Sequence, residues 1–474
     1  MLRVVPLIAL SALACRPASN PPNVIVVALD TLRADRLAAY GNTDGLMPNL
    51  DELTKDSVVF DHAYAQSTET LFSFGSLFTG RYPSEIGPST YEWRVPKDMP
   101  VLAEVLGTYG YTSGAFVAGG HLAPSFGFDR GFDPYISAQR NFASLGATRE
   151  PALTWMAETR EPFFALVHGY DMHARYWKPS PLGTPLPPDG LARTLTLLAK
   201  GSDMIIGDLA TPEACLPILA NGNTSVRLDE ADPTDPNQLS CMEAQLVVDE
   251  ESIQAVRGAY DGAARWVDAE LGVFLAGLEE QGRLDDSWIF VLADHGESLG
   301  EDGGFGHRHT ISDDVVHVPL IIRPPGGTPG RHVGGIVELT DVTATILAIA
   351  GAAAPAHLRG SSLLPVFEGA DRTDRKLALT ESWAQAMRIT SDRGTHLTFE
   401  GVGWDNPTWA SLLAWAPANG PSLRRSDVTD DAELDQLRGD LIAFRSALEP
   451  APAAKAIRDP KYKEALRTGG YWSP

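Results

Sequence analysis

Cysteine is scarce in this chain of 474 residues: Cys15, Cys215 and Cys241 are the only three. A disulfide-built framework is excluded, because setting Cys15 aside leaves a single possible pairing. Cationic side chains are also few, 38 Lys and Arg against 61 Asp and Glu, for a formal net charge of -23. Nucleic acid and an anionic membrane surface are therefore not expected as partners. An anionic substrate would have to be drawn by a local positive site, such as a bound metal. Nor is any apolar run long enough to span a bilayer; the N-terminal one, Val4–Ala14, is too short. Apolar residues are present in ordinary amount, 44%. At this length they can furnish one large α/β unit and a smaller one.

Met1-Leu2-Arg3 followed by Val4–Ala14 reads as an export signal. Ala12-Leu13-Ala14-Cys15 is similar to a bacterial lipobox, and Arg16–Pro22 then forms a polar, Pro-rich tether. Residues 1–22 are accordingly expected to be signal and tether, and the protein to be exported, periplasmic or at the cell surface. Attachment of lipid at Cys15 would be its only link to a membrane; the alternative is plain export. In an oxidising compartment Cys215 and Cys241 are expected to pair.

Two continuous apolar runs, Asn23–Leu29 and Trp288–Ala293, suit central parallel strands covered on both faces. The first is followed by Asp30, the second by Asp294-His295-Gly296-Glu297 and a glycine-rich turn carrying His307 and His309. Phe163–Val167 is a further strand, ending near His168, Asp171 and His173, and Val58–Ala65 and Thr112–Val117 read as two more. Helices are expected over Pro48–Lys55, after Ser67 toward Gly80, over Leu102–Gly107, Ile253–Gln281 and Asp341–Ala350. Strands alternating with helices predict a mostly parallel central sheet with helices on both faces. Leu377–Phe399 reads as a small antiparallel sheet, with Asp431–Leu448 as its covering helix. The Pro-, Gly- and Asp-rich stretch 175–250 breaks the rhythm and reads as an insertion at the site rim. The chain is thus divided into 23–370, holding the site, and a small C-terminal α+β part, 371–474. Carboxylates and imidazoles at three strand ends of one parallel sheet lie where such sheets bind ligands. Together they point to a divalent metal.

Several of these segments resemble the sulfatase family of the alkaline phosphatase superfamily. Asn23–Asp35 is similar to its opening strand, and Met47-Pro48-Asn49-Leu50 continues that pattern. Ser76-Leu77-Phe78-Thr79-Gly80-Arg81-Tyr82-Pro83 resembles the end of its nucleophile motif. Phe164–His173 and Ala293–Gly306 with Val318–Ile321 resemble its histidine strand end and second metal segment, in the family's order. Counting back from Thr79-Gly80, the place of the formylglycine-forming Cys or Ser holds Thr70, while Phe72 and Phe74 replace the motif's Pro and Arg. Threonine cannot mature to formylglycine, and Thr70 instead resembles the threonine nucleophile of the superfamily's phosphodiesterases and headgroup transferases. Where sulfatases end the first strand in paired aspartates, this chain has Asp30-Thr31.

The resemblance implies a metal shell of Asp30, Thr70, Asp294 and His295. Two carboxylates, an alkoxide and an imidazole favour Zn²⁺ or Mn²⁺ over Ca²⁺ or Mg²⁺. A threonine hydroxyl is a weak nucleophile until a cation lowers its pKa. His173 would contact the anion and protonate the leaving oxygen, and His307 or Arg308 would take the role of a family lysine. His121 resembles the histidine of a Lys-x-His pair, with Gly119 in the lysine's place, and His168 and Asp171 would support substrate binding. Arg33 and Asp35 are expected to pair near the site, His309 and His317 to be turn or packing residues, and Asp313-Asp314 to face solvent. The implied function is an exported, metal-dependent hydrolase or transferase of phosphate or sulfate esters, of small-molecule, lipid or glycan type, with phosphorus favoured. The second reading is a degenerate member that binds an anion without turnover.

Overall fold

The computed structural model describes residues 21–87, 93–138, 142–160, 162–173, 250–301, 305–307, 310–371, 373–382, 386–391, 396–400 and 423–425, with helical positions 436, 439, 440 and 443. The expected signal, tether, disulfide and insertion lie outside these residues, as do Arg308 and His309. So does nearly all of the helix expected over Asp431–Leu448.

The main sheet has nine strands. They are β1 (Asn23–Leu29), β2 (Val58–Tyr64), β3 (Thr112–Val117), β4 (Tyr135–Ser137), β5 (Phe163–Gly169), β6 (Ser287–Leu292), β9 (His317–Val318), β10 (Leu320–Arg323) and β11 (Arg331–Glu338). A short hairpin, β7 (Ser298–Leu299) with β8 (Phe305–Gly306), follows β6 in the chain. The order is β11-β2-β10-β6-β1-β5-β3-β4, with β9 paired to β2. Every pair is parallel except those made by β10 and β9, which run antiparallel. All seven residues of β1 are buried, as a strand with a neighbour on each edge and a layer on each face requires.

Helices group into two layers. Thr70–Thr79, Leu102–Thr108 and Leu339–Ile349 pack together, and Pro48–Thr54, Leu145–Glu158 and Glu250–Glu280 form the second group. Both groups contribute to one apolar core around β1, β5 and β6. The helix Thr70–Thr79 is buried along its whole length, which explains why its sequence shows no amphipathic period.

Register decides where the site forms. Ala28 lies level with His168 of β5 and Leu292 of β6. The residues that follow, Asp30, Tyr170 and Asp294, therefore emerge together at the carboxyl edge. The Asp30 amide extends the ladder by donating to Gly169 O at 3.0 Å.

The expected small sheet is present as β12 (Leu377–Ser382), β13 (Ala386–Ser391), β14 (His396–Glu400) and β15 (Leu423–Arg425), all antiparallel. Its first strand clasps the segment leading to Thr70. Thr380 Oγ1 donates to Ala65 O at 2.6 Å, Ser67 Oγ to Glu381 O at 2.8 Å, and Thr68 Oγ1 to Ser382 Oγ at 3.2 Å. The Glu381 amide donates to Gln66 O at 2.9 Å.

Candidate metal centre and catalytic cluster

Three of the expected ligands converge. One ligand atom from each of Asp30, Asp294 and His295 lies within 4.8 Å of the others, and all three residues are buried. Thr70 opens the helix Thr70–Thr79. Its Oγ1 donates to Asp30 Oδ2 at 3.1 Å and stands 3.3 Å from His295 Nε2. The dipole of that helix adds partial positive charge where the hydroxyl sits. Ser73 of the same helix donates to Asp294 O at 2.6 Å, fixing helix and strand end together.

The chemistry of this donor set fits a divalent cation. Asp30 Oδ1 and Asp294 Oδ2 are buried oxygens with no hydrogen-bond partner. Burial first, and then the facing Asp294 carboxylate, push Asp30 well above the usual carboxylate range. Two buried carboxylates turned toward one another are costly unless a cation compensates them. Thr31 completes the cradle with a left-handed backbone, φ 57°, that aims its amide at Asp294 Oδ1 at 3.3 Å. Its carbonyl accepts from Tyr260 Oη at 2.6 Å.

Beyond these ligands stands a row of imidazoles. The His295 and His307 rings are 4.4 Å apart and the His307 and His173 rings 5.3 Å apart. The structure thus brings His173 and His307 to the cluster, as the sequence implies. It also supplies a residue that the sequence reading passed over. Glu297, fully buried, lies 2.9 Å from His307 Nδ1 through Oε1. That contact turns the opposite nitrogen of His307 to face away from the carboxylate. The acid sits in the quoted Asp-His-Gly-Glu run, but nothing in a spacing of ten residues announces the pairing.

The loop bearing Glu297 is held from two sides. Arg33 Nη1 donates to Glu297 O at 3.0 Å and to Glu301 Oε1 at 2.8 Å, while its other nitrogens grip Asp35 at 3.0 and 2.7 Å. The expected Arg33–Asp35 pair is therefore part of a larger brace. Gly296 and Glu297 donate to Val315 O at 2.7 Å and Asp314 O at 3.1 Å. A Cβ on Gly296 would stand 2.1 Å from Asp314 O, a backbone atom that cannot swing aside. Gly296→Ala is expected to cost about 1–3 kcal/mol from overpacking and to displace His295, read as a lower melting temperature together with weaker metal uptake.

Three expectations are corrected. His168 is not a substrate contact: it is wholly buried, edge-on to Phe74 and Tyr170, with Nε2 3.4 Å from Asp30 Oδ2. Burial, with the His173 and His295 imidazoles, pushes it down to about 3, so it stays neutral and backs Asp30. Asp171 accepts from the Leu145 amide at 2.6 Å, at the start of the helix Leu145–Glu158, and is a capping group. Asp171→Ala is expected to lower stability by about 1 kcal/mol, measured by denaturant unfolding, with no selective change in KM. Asp314 does not face solvent: its side chain is only 10% exposed and approaches Arg33 at 3.9 Å, whereas Asp313 is exposed. His121, expected to bind substrate, is buried, and its amide donates to the Tyr170 hydroxyl at 3.1 Å. His317, placed as expected, packs on Tyr40 and Tyr64.

Comparison with known proteins matches this arrangement. A profile of the sulfatase family matches residues 22–352. An arylsulfatase of Clostridium perfringens is 23% identical over 395 residues, 75% of this chain and 80% of that protein. A choline-sulfatase of Rhizobium meliloti is 29% identical over 264 residues, 52% of this chain and 49% of the relative, so the match spans about half of it. Among solved structures, the phosphonate monoester hydrolase of Agrobacterium radiobacter superposes with a TM-score of 0.64 at 19% identity. That match covers 90% of this chain and 96% of the other, and speaks to the fold. The chain belongs to the sulfatase family of the alkaline phosphatase superfamily, and with it to the sulfuric and phosphoric ester hydrolases.

Proposed function

We propose that this protein hydrolyses phosphate esters, monoesters or diesters, through Thr70 as a covalent nucleophile. The carrying observation is the position of Thr70 Oγ1, buried at a helix start, 3.1 Å from Asp30 Oδ2 and 3.3 Å from His295 Nε2. A divalent cation, Zn²⁺ or Mn²⁺ on this donor set, would be held by Asp30, Asp294, His295 and Thr70, and would supply positive charge that acidifies the hydroxyl.

The residues of the chain account for the remaining work. Asp30 orients the Thr70 hydroxyl and accepts its hydrogen bond. Thr70 passes its hydroxyl proton to Asp30 as Oγ attacks phosphorus in line, forming the Oγ–P bond while the bond to the leaving oxygen breaks. His173 gives its proton to that oxygen, and His307, held by Glu297, faces the charge on the non-bridging oxygens. Water then attacks the phosphothreonine, losing its proton to His173, and Asp30 returns its proton to Thr70 Oγ as the Oγ–P bond breaks. A hydroxyl nucleophile in place of a hydrated aldehyde supports phosphorus over sulfur, because formylglycine chemistry is closed to threonine.

The test is a panel of aryl phosphate monoesters, diesters and aryl sulfates, assayed with the purified protein and Zn²⁺ or Mn²⁺. Turnover of phosphate esters in excess of sulfates is expected. Turnover of sulfates alone would overturn the preference for phosphorus.

A further inference from the structure

Among the described residues, only two that are not glycine hold a left-handed backbone, Thr31 and Phe142. Thr31 is accounted for by its amide on Asp294. Phe142, at φ 61°, carries a bulky aromatic side chain in a region where such residues are strained. Strain of this kind persists only where surroundings enforce it, and they do. The Ala143 amide donates to Ala118 O at 3.0 Å and the Ala143 carbonyl accepts from the Tyr170 amide at 2.9 Å. Phe142 is thereby pinned where the carboxyl ends of β3 and β5 meet.

The ring it presents stands 4.8 Å from Tyr170 at 64°, and 5.4 Å from His173 at 32°. Space for both rings depends on Gly120: a Cβ there would come within 3.0 Å of Tyr170 Oη and 3.1 Å of the Phe142 ring. A strained residue, a glycine clearance and two fixed hydrogen bonds thus maintain one aromatic ring against His173. Core packing does not explain the arrangement, since Phe142 stays half-buried.

We propose that Phe142, backed by the buried Tyr170, is the apolar wall of a leaving-group subsite that takes a neutral aryl group. This rests on the reading of His173 as the acid that protonates the leaving oxygen, because the departing group then emerges beside Phe142. A ring entering there would pack at the separations usual for aromatic pairs. Asp171, two residues before His173, is engaged by the Leu145 amide and offers no counter-charge for a cationic group.

The experiment uses full-length, metal-loaded protein with two pairs of probes. Calorimetric binding of phenylphosphonate is compared with that of methylphosphonate, and turnover of 4-nitrophenyl phosphate with that of ethyl phosphate. Wild type is expected to favour the aryl member of each pair. Phe142→Gly, which suits the left-handed backbone, is expected to reduce that ratio about five- to tenfold, through KM more than kcat. Phe142→Leu should fall between them and keeps the test open if the glycine variant folds poorly. An unaltered ratio, equal weakening of both probes, or no aryl preference in wild type would overturn the subsite. Should wild type turn over neither ester, loss of its phenylphosphonate preference in Phe142→Gly would retain the subsite and sink the hydrolase reading.

Discussion

Thr70→Ala is expected to lower turnover of an aryl phosphate by on the order of 10³-fold or more, the scale on which nucleophile removal acts when binding groups remain. The variant removes one hydroxyl at the first residue of the helix Thr70–Thr79, where it contacts Asp30 and His295. Folding should survive, because Leu71, Phe72 and Phe74 continue to bury the helix. The informative comparison adds Thr70→Ser, which keeps an oxygen in place and should recover a substantial part of the rate. Mass spectrometry of a quenched reaction should find the phosphoryl group on Thr70 in wild type alone. Activity undiminished in Thr70→Ala would remove the proposed mechanism altogether.

The second large effect concerns the paired carboxylates. In metal-free protein Asp30 is raised by burial and by Asp294. For an acid whose folded pKa exceeds its unfolded value, folding is favoured at low pH. That advantage is lost as pH rises from the unfolded value toward the raised one. As pH rises through that range the metal-free protein therefore bears a growing cost of two facing carboxylates. Asp294→Asn removes one of them, so the metal-free variant is expected to melt above metal-free wild type. With saturating Zn²⁺ or Mn²⁺ the order should reverse. A ligand at about 100 times its dissociation constant adds about 2.7 kcal/mol to a protein that binds it, and only wild type would gain this. Calorimetry of both proteins, with and without metal, reads the crossover. Parallel rises in both would mean that Asp294 is not a ligand.

Much of this centre could be read from the chain because its ligands follow strands of unmistakable character. β1 and β6 are apolar throughout, which marks them as central, and the polar residue ending such a strand stands out. Thr70 was found through its distance from Thr79-Gly80, since the buried helix between them offers no periodicity of its own. Other features leave no such trace. β4 is three residues long and half-exposed, and the Gly334-Gly335 irregularity in β11 interrupts its alternation. The antiparallel direction of β10 is fixed by pairing with both β2 and β6, which no local pattern records. Glu297 and His307 meet because a hairpin folds back, and Phe142 matters through a torsion angle. Asp171 and His168 were misread for the converse reason. Their residue types suit a site, and only contacts reveal that one caps a helix and the other lies behind a ligand.

The clasp between β12 and residues 65–68 has a bearing on how this enzyme could be altered or inherited. The small sheet has the look of an appendage to be trimmed or exchanged, yet its first strand grips the backbone immediately upstream of Thr70. A chimera given another protein's C-terminal sheet would import a different seat for Thr70 along with it. Remodelling of that sheet is accordingly expected to shift Thr70 even when every residue around it is kept.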